Sequence, residues 1–238
     1  MNRYISLCFI CLVLLTGSCK KSFLELAPLS NSNAANFYKT QADFDLAVNN
    51  AYATLYTVYG PLGMVSFTGE LMSDNATLYQ VAGSGSINTG DKWAFRDYSI
   101  IPTNNLVNQF WSDAYTSLYS VNIVIDKLKN ADLADSYKTQ ITAEMSFLRA
   151  LYYFDMVQIW GDVPLITTPV SSDASFKMNR TPAQSVYGQI ITDLKFAADN
   201  LPDPDKVPAP GRASKAPPKP SSARSTSLPA TRLPPPQF

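Results

Sequence analysis

The sequence has no histidine, and its three cysteines, Cys8, Cys11 and Cys19, all fall within the first nineteen of 238 residues. The first absence excludes Ser-His-Asp and Cys-His catalysis and every histidine-ligated metal site. The second excludes a thiol nucleophile, a disulfide framework or a cysteine-bound zinc in the rest of the chain. A third shortage is regional. No Asp or Glu follows Asp205, whereas Arg212, Lys215, Lys219, Arg224 and Arg232 do. The formal net charge of zero therefore hides two unlike parts: residues 19–206 carry 13 Lys and Arg against 19 Asp and Glu, a net −6. Such an acidic body lacks the basic face that nucleic acid requires. There is no glycine-rich phosphate loop. Asp203 and Asp205 share a proline-rich turn, with nothing to hold them across a cleft as a glycosidase pair. The expectation is a protein without catalytic residues, cofactor or metal.

What is present fits one medium-sized folded body, with 46% hydrophobic and 12% aromatic residues. The N-terminus has a secretory pattern. Arg3 supplies a positive start, and residues 5–15 form an apolar run too short to span a bilayer. Leu15-Thr16-Gly17-Ser18-Cys19 resembles a bacterial lipobox, in which Cys19 is acylated and becomes the first mature residue. An anchor of several acyl chains, palmitate among them, holds a protein stably on a membrane. The alternative is an ordinary signal peptide beside an incidental cysteine. Lys20 and Lys21 leave open which face of the membrane is reached.

Residues 22–36 read as an extended lead-in. Thr40, with Asp43 three residues on, opens a helix in capping-box style, and Phe44, Val48, Ala51, Tyr52, Leu55 and Val58 recur at helical steps until Gly60-Pro61. Residues 60–104 are rich in Gly, Ser, Asn, Thr and Asp, and read as a long loop without regular structure, carrying Tyr79, Trp93, Phe95 and Tyr98. Three further helices are predicted. Residues 106–129 present Phe110, Ala114, Leu118, Val121, Ile125 and Leu128. Residues 136–159 carry two apolar stripes, Ile141-Met145-Leu148-Tyr152-Ile159 and Phe147-Leu151-Phe154, so that helix is expected to be buried on most sides. The last helix takes Thr181 as N-cap and Pro182 at its first position, carries Val186, Ile190, Leu194, Ala197 and Leu201, and ends at Pro202. Aromatic-rich helical hairpins joined by polar loops predict a mainly α, TPR-like stack.

Several segments coincide with one family. Residues 144–155 (EMSFLRALYYFD) running into Trp160-Gly161-Asp162-Val163-Pro164-Leu165 closely resemble the most recognisable stretch of SusD/RagB proteins. Arg180-Thr181-Pro182 with Val186, Tyr187, Ile190, Asp193 and Leu194 is similar to the helix that follows it there. Phe110-Trp111, Tyr115, Leu118-Tyr119 and Asn122 match the preceding helix, and Asn36-Phe37-Tyr38, Phe44, Ala47-Val48 and Ala51-Tyr52 the entry. The resemblance implies a non-catalytic outer-membrane lipoprotein, anchored through Cys19, that captures oligosaccharides or peptides. It lies over a TonB-dependent, SusC-like transporter. It also implies a chain about half the length of its relatives, so that later residues of the ligand site are missing.

The resemblance also bears on the tail. Nine of the 17 prolines follow Val207. Gly211-Arg212-Ala213-Ser214-Lys215 resembles the family's lead into another helix, typically Lys-Gly-Ala-Ala-Lys-Ala-Leu-Leu. Loss of a single G from a plausible coding sequence for that helix gives Lys-Ala-Pro-Pro-Lys-Pro-Ser-Ser, which is residues 215–222. The expected organisation is a lipoprotein signal peptide at 1–18, a SusD-like helical domain at 19–206, and a basic, proline-rich, disordered tail at 207–238, frameshifted from about residue 215. A genuine proline-rich linker is the alternative.

A sugar site needs flat rings to stack on and polar groups for hydroxyls. The 70–104 region supplies both: Trp93 and Tyr98 as stackers, Arg96 and Asn75 as hydrogen-bonding partners. The same rings could equally pack the loop onto the helices. Glu144 and Arg149 fall on the most buried helix and are expected to pair with each other or with Asp155 and neighbours. Two other functions stay open: a TPR-like scaffold for a protein partner, and a fragment of a glycan-processing enzyme.

Overall fold

The computed structural model describes residues 37–78 and 89–215. The signal peptide, Cys19, the lead-in and the tail beyond 215 lie outside the described residues.

Helix α1 (Gln41–Ala53) begins as its sequence requires. The Asp43 amide donates to Thr40 Oγ1 at 3.3 Å, and the Thr40 amide donates to Asp43 Oδ2 at 2.8 Å. Two helix-end donors are satisfied reciprocally. The backbone hydrogen bond from Thr40 is the main cause holding the Asp43 carboxyl below its ordinary value. After a break at Thr54, α2 (Leu55–Tyr59) carries the chain to Gly60. The turn that follows is close-packed: a Cβ on Gly63 would lie 2.3 Å from the Val58 carbonyl oxygen.

The region expected to be an irregular loop is partly helical. It holds α3 (Met64–Ser66), a π-helical turn (Phe67–Leu71) and α4 (Thr89–Arg96). Its polar composition conceals two anchors, Phe67 and Phe95. With Phe110, from the helix that follows, they form a cluster of edge-on and tilted rings with centroids 5.4–5.8 Å apart, all at most 3% exposed. Such contacts add to the burial of each ring. Residues 79–88, including Tyr79, lie outside the description.

The body is built on α5 (Asn105–Leu128), α6 (Asp135–Trp160) and α8 (Ala183–Asn200), with α6 packed between the other two and α1 laid across α5 and α6. Helix α7 (Ser172–Ser175) is a single turn, and a 3₁₀ turn (Pro204–Lys206) follows α8. Among the described residues there is no strand, only one bridge between Val163 and Thr181. The result is the expected mainly α, TPR-like stack. Asn104 caps α5 by accepting from the Leu106 and Val107 amides. Gly161, at φ 66°, ends α6 in a conformation that favours glycine.

Helix α6 is buried on most sides, and Ile141, Met145, Leu148 and Tyr152 of the first expected stripe lie in the core. Phe154 and Ile159 are exposed, while Ala143, Ala150, Tyr153 and Val157 turn inward. Its charged groups also pair differently. Arg149 donates to both Asp193 oxygens, 2.8 Å from Nε and 2.7 Å from Nη2, rather than to Glu144 or Asp155. Asp193 is 3% exposed and takes the inward position on α8, leaving Leu194 outside. Asp155 instead accepts from the Tyr59 hydroxyl. The reason is angular: five or six residues along a helix turn a side chain to another face, so Glu144 and Arg149 address different neighbours.

Helix α8 starts one position later than expected. Pro182 is its N-cap, and Thr181 bridges Val163 instead. The orphan amide of Ala183 is capped from outside the helix by Asp162 Oδ1, at 2.8 Å. The stretch 207–215, expected to belong to the tail, packs on the body. Arg212 Nε donates to buried Glu144 at 2.7 Å, the Ala213 amide to the Tyr52 hydroxyl at 2.9 Å, and the Lys215 amide to Pro202 O at 2.8 Å. A buried carboxylate needs such partners, and Glu144 also accepts from Tyr52 and Gln140.

Candidate functional site

The four residues singled out in the sequence occupy one side of α4 and the segment 72–78. Arg96 lies 5.9 Å from the centroid of the Trp93 ring and grips Asp97 through two hydrogen bonds of 2.6 and 2.9 Å. That pair holds the Asp97 carboxyl below its ordinary range. Nη1 of Arg96 reaches Leu78 O at 3.4 Å, and the Tyr98 hydroxyl donates to Met72 O, so both ends of 72–78 are tied to this side. Asn75 sits exposed between those ends, its amide donating to Ser73 Oγ at 3.3 Å. Trp93 and Arg96 are thus brought together, while Tyr98 and Asn75 are linked to them through the segment 72–78. Trp93 is half-buried, and Tyr98 is exposed with a left-handed backbone at φ 55°. A non-glycine residue there is strained by about 1–2 kcal/mol.

A second feature has no counterpart in the sequence reading. A cleft of about 840 Å³ runs between α5 and the segment 164–178. On the α5 wall, Trp111, Tyr115 and Tyr119 follow one another at four-residue spacing, one per turn. On the other wall Phe176 is 88% exposed. Exposed hydroxyl residues Ser112, Thr116 and Thr168 share the lining, which contains no charged side chain.

Physical chemistry explains why this segment stays in place without a strand partner. Its backbone is held by side chains from the helices. The Ile166 amide donates to Tyr153 Oη at 2.6 Å, and Ile166 O accepts from Tyr153 and Asn122, both at 2.9 Å. Pro164 O accepts from Tyr115 at 2.9 Å, and Thr167 O from Arg149 at 3.3 Å. Burial pushes the Tyr115 and Tyr153 hydroxyls up, keeping them neutral donors. Arg180 stands behind Trp111, 5.5 Å from its centroid, and donates to Asp162 O at 2.7 Å. Trp111 also meets Trp160 edge-on at 5.2 Å. The sequence does not mark this cleft, because its walls come from α5 and the segment 164–178, which meet only in the folded chain. The only local signal is Phe176 in a polar stretch.

Among the described residues no helix is long and apolar enough to cross a membrane. Residues 22–216 match a family model, SusD-like, described as starch-binding and associating with the outer membrane. Two curated relatives from Formosa agariphila are SusD-like protein P25, 29% identical over 89% of this chain, and SusD-like protein P2, 30% identical over 85%. The chain spans 40% and 39% of their lengths. Among solved structures, a laminarin-binding SusD-like protein superimposes with a TM-score of 0.63 at 29% identity, covering 74% of this chain and 38% of that one. A SusD superfamily protein from Bacteroides vulgatus shares the fold with a TM-score of 0.60 at 24% identity.

Proposed function

The chain belongs to the SusD-like family, and from that premise we propose that it binds neutral glycans at the cell surface and hands them to a TonB-dependent outer-membrane transporter of the SusC-like kind. The observation that carries this reading is the family match over residues 22–216, a span that includes every described residue. The laminarin-binding neighbour supports the ligand class. The role is capture, without catalysis. Cys19 is the proposed lipid attachment point, holding the protein on the outer membrane with the body facing outward.

Trp93, Arg96, Asn75 and Tyr98 are the proposed ligand contacts on the α4 side. The Trp93 ring offers a stacking face, Arg96 and Asn75 donate to hydroxyls, and Tyr98 adds a second ring. Beyond about residue 215 the reading frame is proposed to depart from the family's. That the family match stops at 216 agrees with it, and resequencing the gene across codon 215 tests it.

The function is tested by titrating the purified chain, without its signal peptide, with laminarin and with starch oligosaccharides. Saturable binding that Trp93→Ala weakens, with the helical circular dichroism intact, is expected. Absence of binding to either glucan, together with retained association with a co-expressed transporter, favours a scaffold instead. Cys19→Ser is expected to move the protein from the membrane fraction to the soluble one.

A further inference from the structure

The cleft between α5 and the segment 164–178 combines features that the proposed α4 contacts do not account for. Its lining has no Asp, Glu, Lys or Arg, although the body as a whole is acidic. A cationic or anionic ligand would therefore enter without a countercharge, at a high desolvation cost. Rings and hydroxyls are what it offers. Tyr119 is 50% exposed on the α5 wall, and Phe176 is 88% exposed on the facing segment. Two exposed rings in the lining of one concave, largely apolar site, with hydroxyls beside them, have the make-up of a ligand pocket. The floor is prepared in advance. Tyr115 and Asn122 spend their polar atoms holding the Pro164 and Ile166 carbonyls, so they present ring and amide edges in fixed positions. Exposed Ser112, Thr116 and Thr168 supply hydroxyls at the mouth.

We propose that this cleft is a second, separate glycan subsite, in which Tyr119 and Phe176 clasp a neutral sugar ring from the two walls. The inference rests on the glycan-binding reading and extends it. It shares no residue with the Trp93 group, so a chain of several sugar units would be held at two places. Two-point attachment raises overall affinity without any new contact at either point.

The test uses the intact chain and its Tyr119→Ala, Phe176→Ala and Trp93→Ala variants, titrated by calorimetry with laminarin, starch oligosaccharides and short fragments of each. Tyr119 and Phe176 are exposed, so their truncation leaves the fold standing, and circular dichroism checks this. The expected result is at least a tenfold loss of affinity for long glucans in Phe176→Ala and Tyr119→Ala. The double variant with Trp93→Ala is expected to lose more than either single. Full binding in both cleft variants, with loss confined to Trp93→Ala, overturns the second subsite and leaves the glycan-binding reading intact. Unchanged glycan binding with lost association to a co-expressed transporter assigns the cleft to a protein partner and also overturns it. If the unmodified chain binds neither glucan, the reading and the subsite fall together.

Discussion

The two aromatic surfaces of this protein are held in opposite ways. The α4 side is fastened at the surface, by the Arg96–Asp97 pair and the Tyr98 hydroxyl. The cleft wall is fastened from within, by the Arg149–Asp193 pair and by Tyr153 and Asn122 beneath the segment 164–168. Both side chains of the Arg149–Asp193 pair are less than a tenth exposed, whereas Asp97 is half exposed. An ion pair in water contributes little to stability, while a buried one cannot lose a partner without stranding a charge. One surface can therefore vary at little cost to the fold, and the other is built into it.

The largest effect is expected at the buried pair. Arg149→Ala leaves Asp193 buried without its guanidinium and should cost about 3–5 kcal/mol in denaturant unfolding. Replacing both partners together, Arg149→Met with Asp193→Leu, should cost less than either single change, because no charge is left stranded. A double variant as unstable as Arg149→Ala would show that the hydrogen bonds to Asn122 and Thr167 matter more than the charge pair. Next in size is Tyr153→Phe. It strips the Ile166 amide of its partner and should cost about 1–3 kcal/mol. Faster amide exchange confined to residues 163–168 would locate the loss.

A pH effect should follow on another side of α6. Burial raises the Asp155 carboxyl above its ordinary value of 3.8, and the Tyr59 hydrogen bond only partly opposes this. The folded state then holds that proton more tightly than the unfolded chain. Its contribution to stability is complete below about pH 3.8 and is lost as pH rises through the raised value. Asp155→Asn should remove this slope, which the difference between the two proteins' melting temperatures across pH would reveal. The smallest effect is expected at the surface. Arg96→Ala should leave the melting temperature unchanged within error while weakening glucan binding. A large loss of stability there would erase the contrast between the two surfaces.

Much of the fold could be read from the residues. The Thr40–Asp43 box, the stripe Phe110-Ala114-Leu118-Val121 and the stop at Gly161 each follow from a local rule. The misreadings were of long-range origin. Phe67 and Phe95 anchor a segment whose Gly, Ser and Asn content reads as loop, since their partner Phe110 lies in another helix. Arg149 found Asp193 rather than Glu144 because pairing depends on which helix packs on which face. Arg212 reached Glu144 across 68 residues, so a stretch that looked like tail is packed on the body. Of the site, the ring-and-donor mixture at Trp93, Arg96 and Tyr98 was visible as composition. The cleft was not, because a concave surface between Tyr119 and Phe176 exists only once α5 and 164–178 are brought together.

The measurement that bears most directly on the account is calorimetric titration of the unmodified chain, without its signal peptide, with laminarin and with starch oligosaccharides. Saturable binding to at least one of these neutral glucans is predicted, with no competition from charged sugars. Flat titrations with both, for a chain whose helical spectrum and cooperative melting show it folded, would contradict the claim that this protein captures glycans.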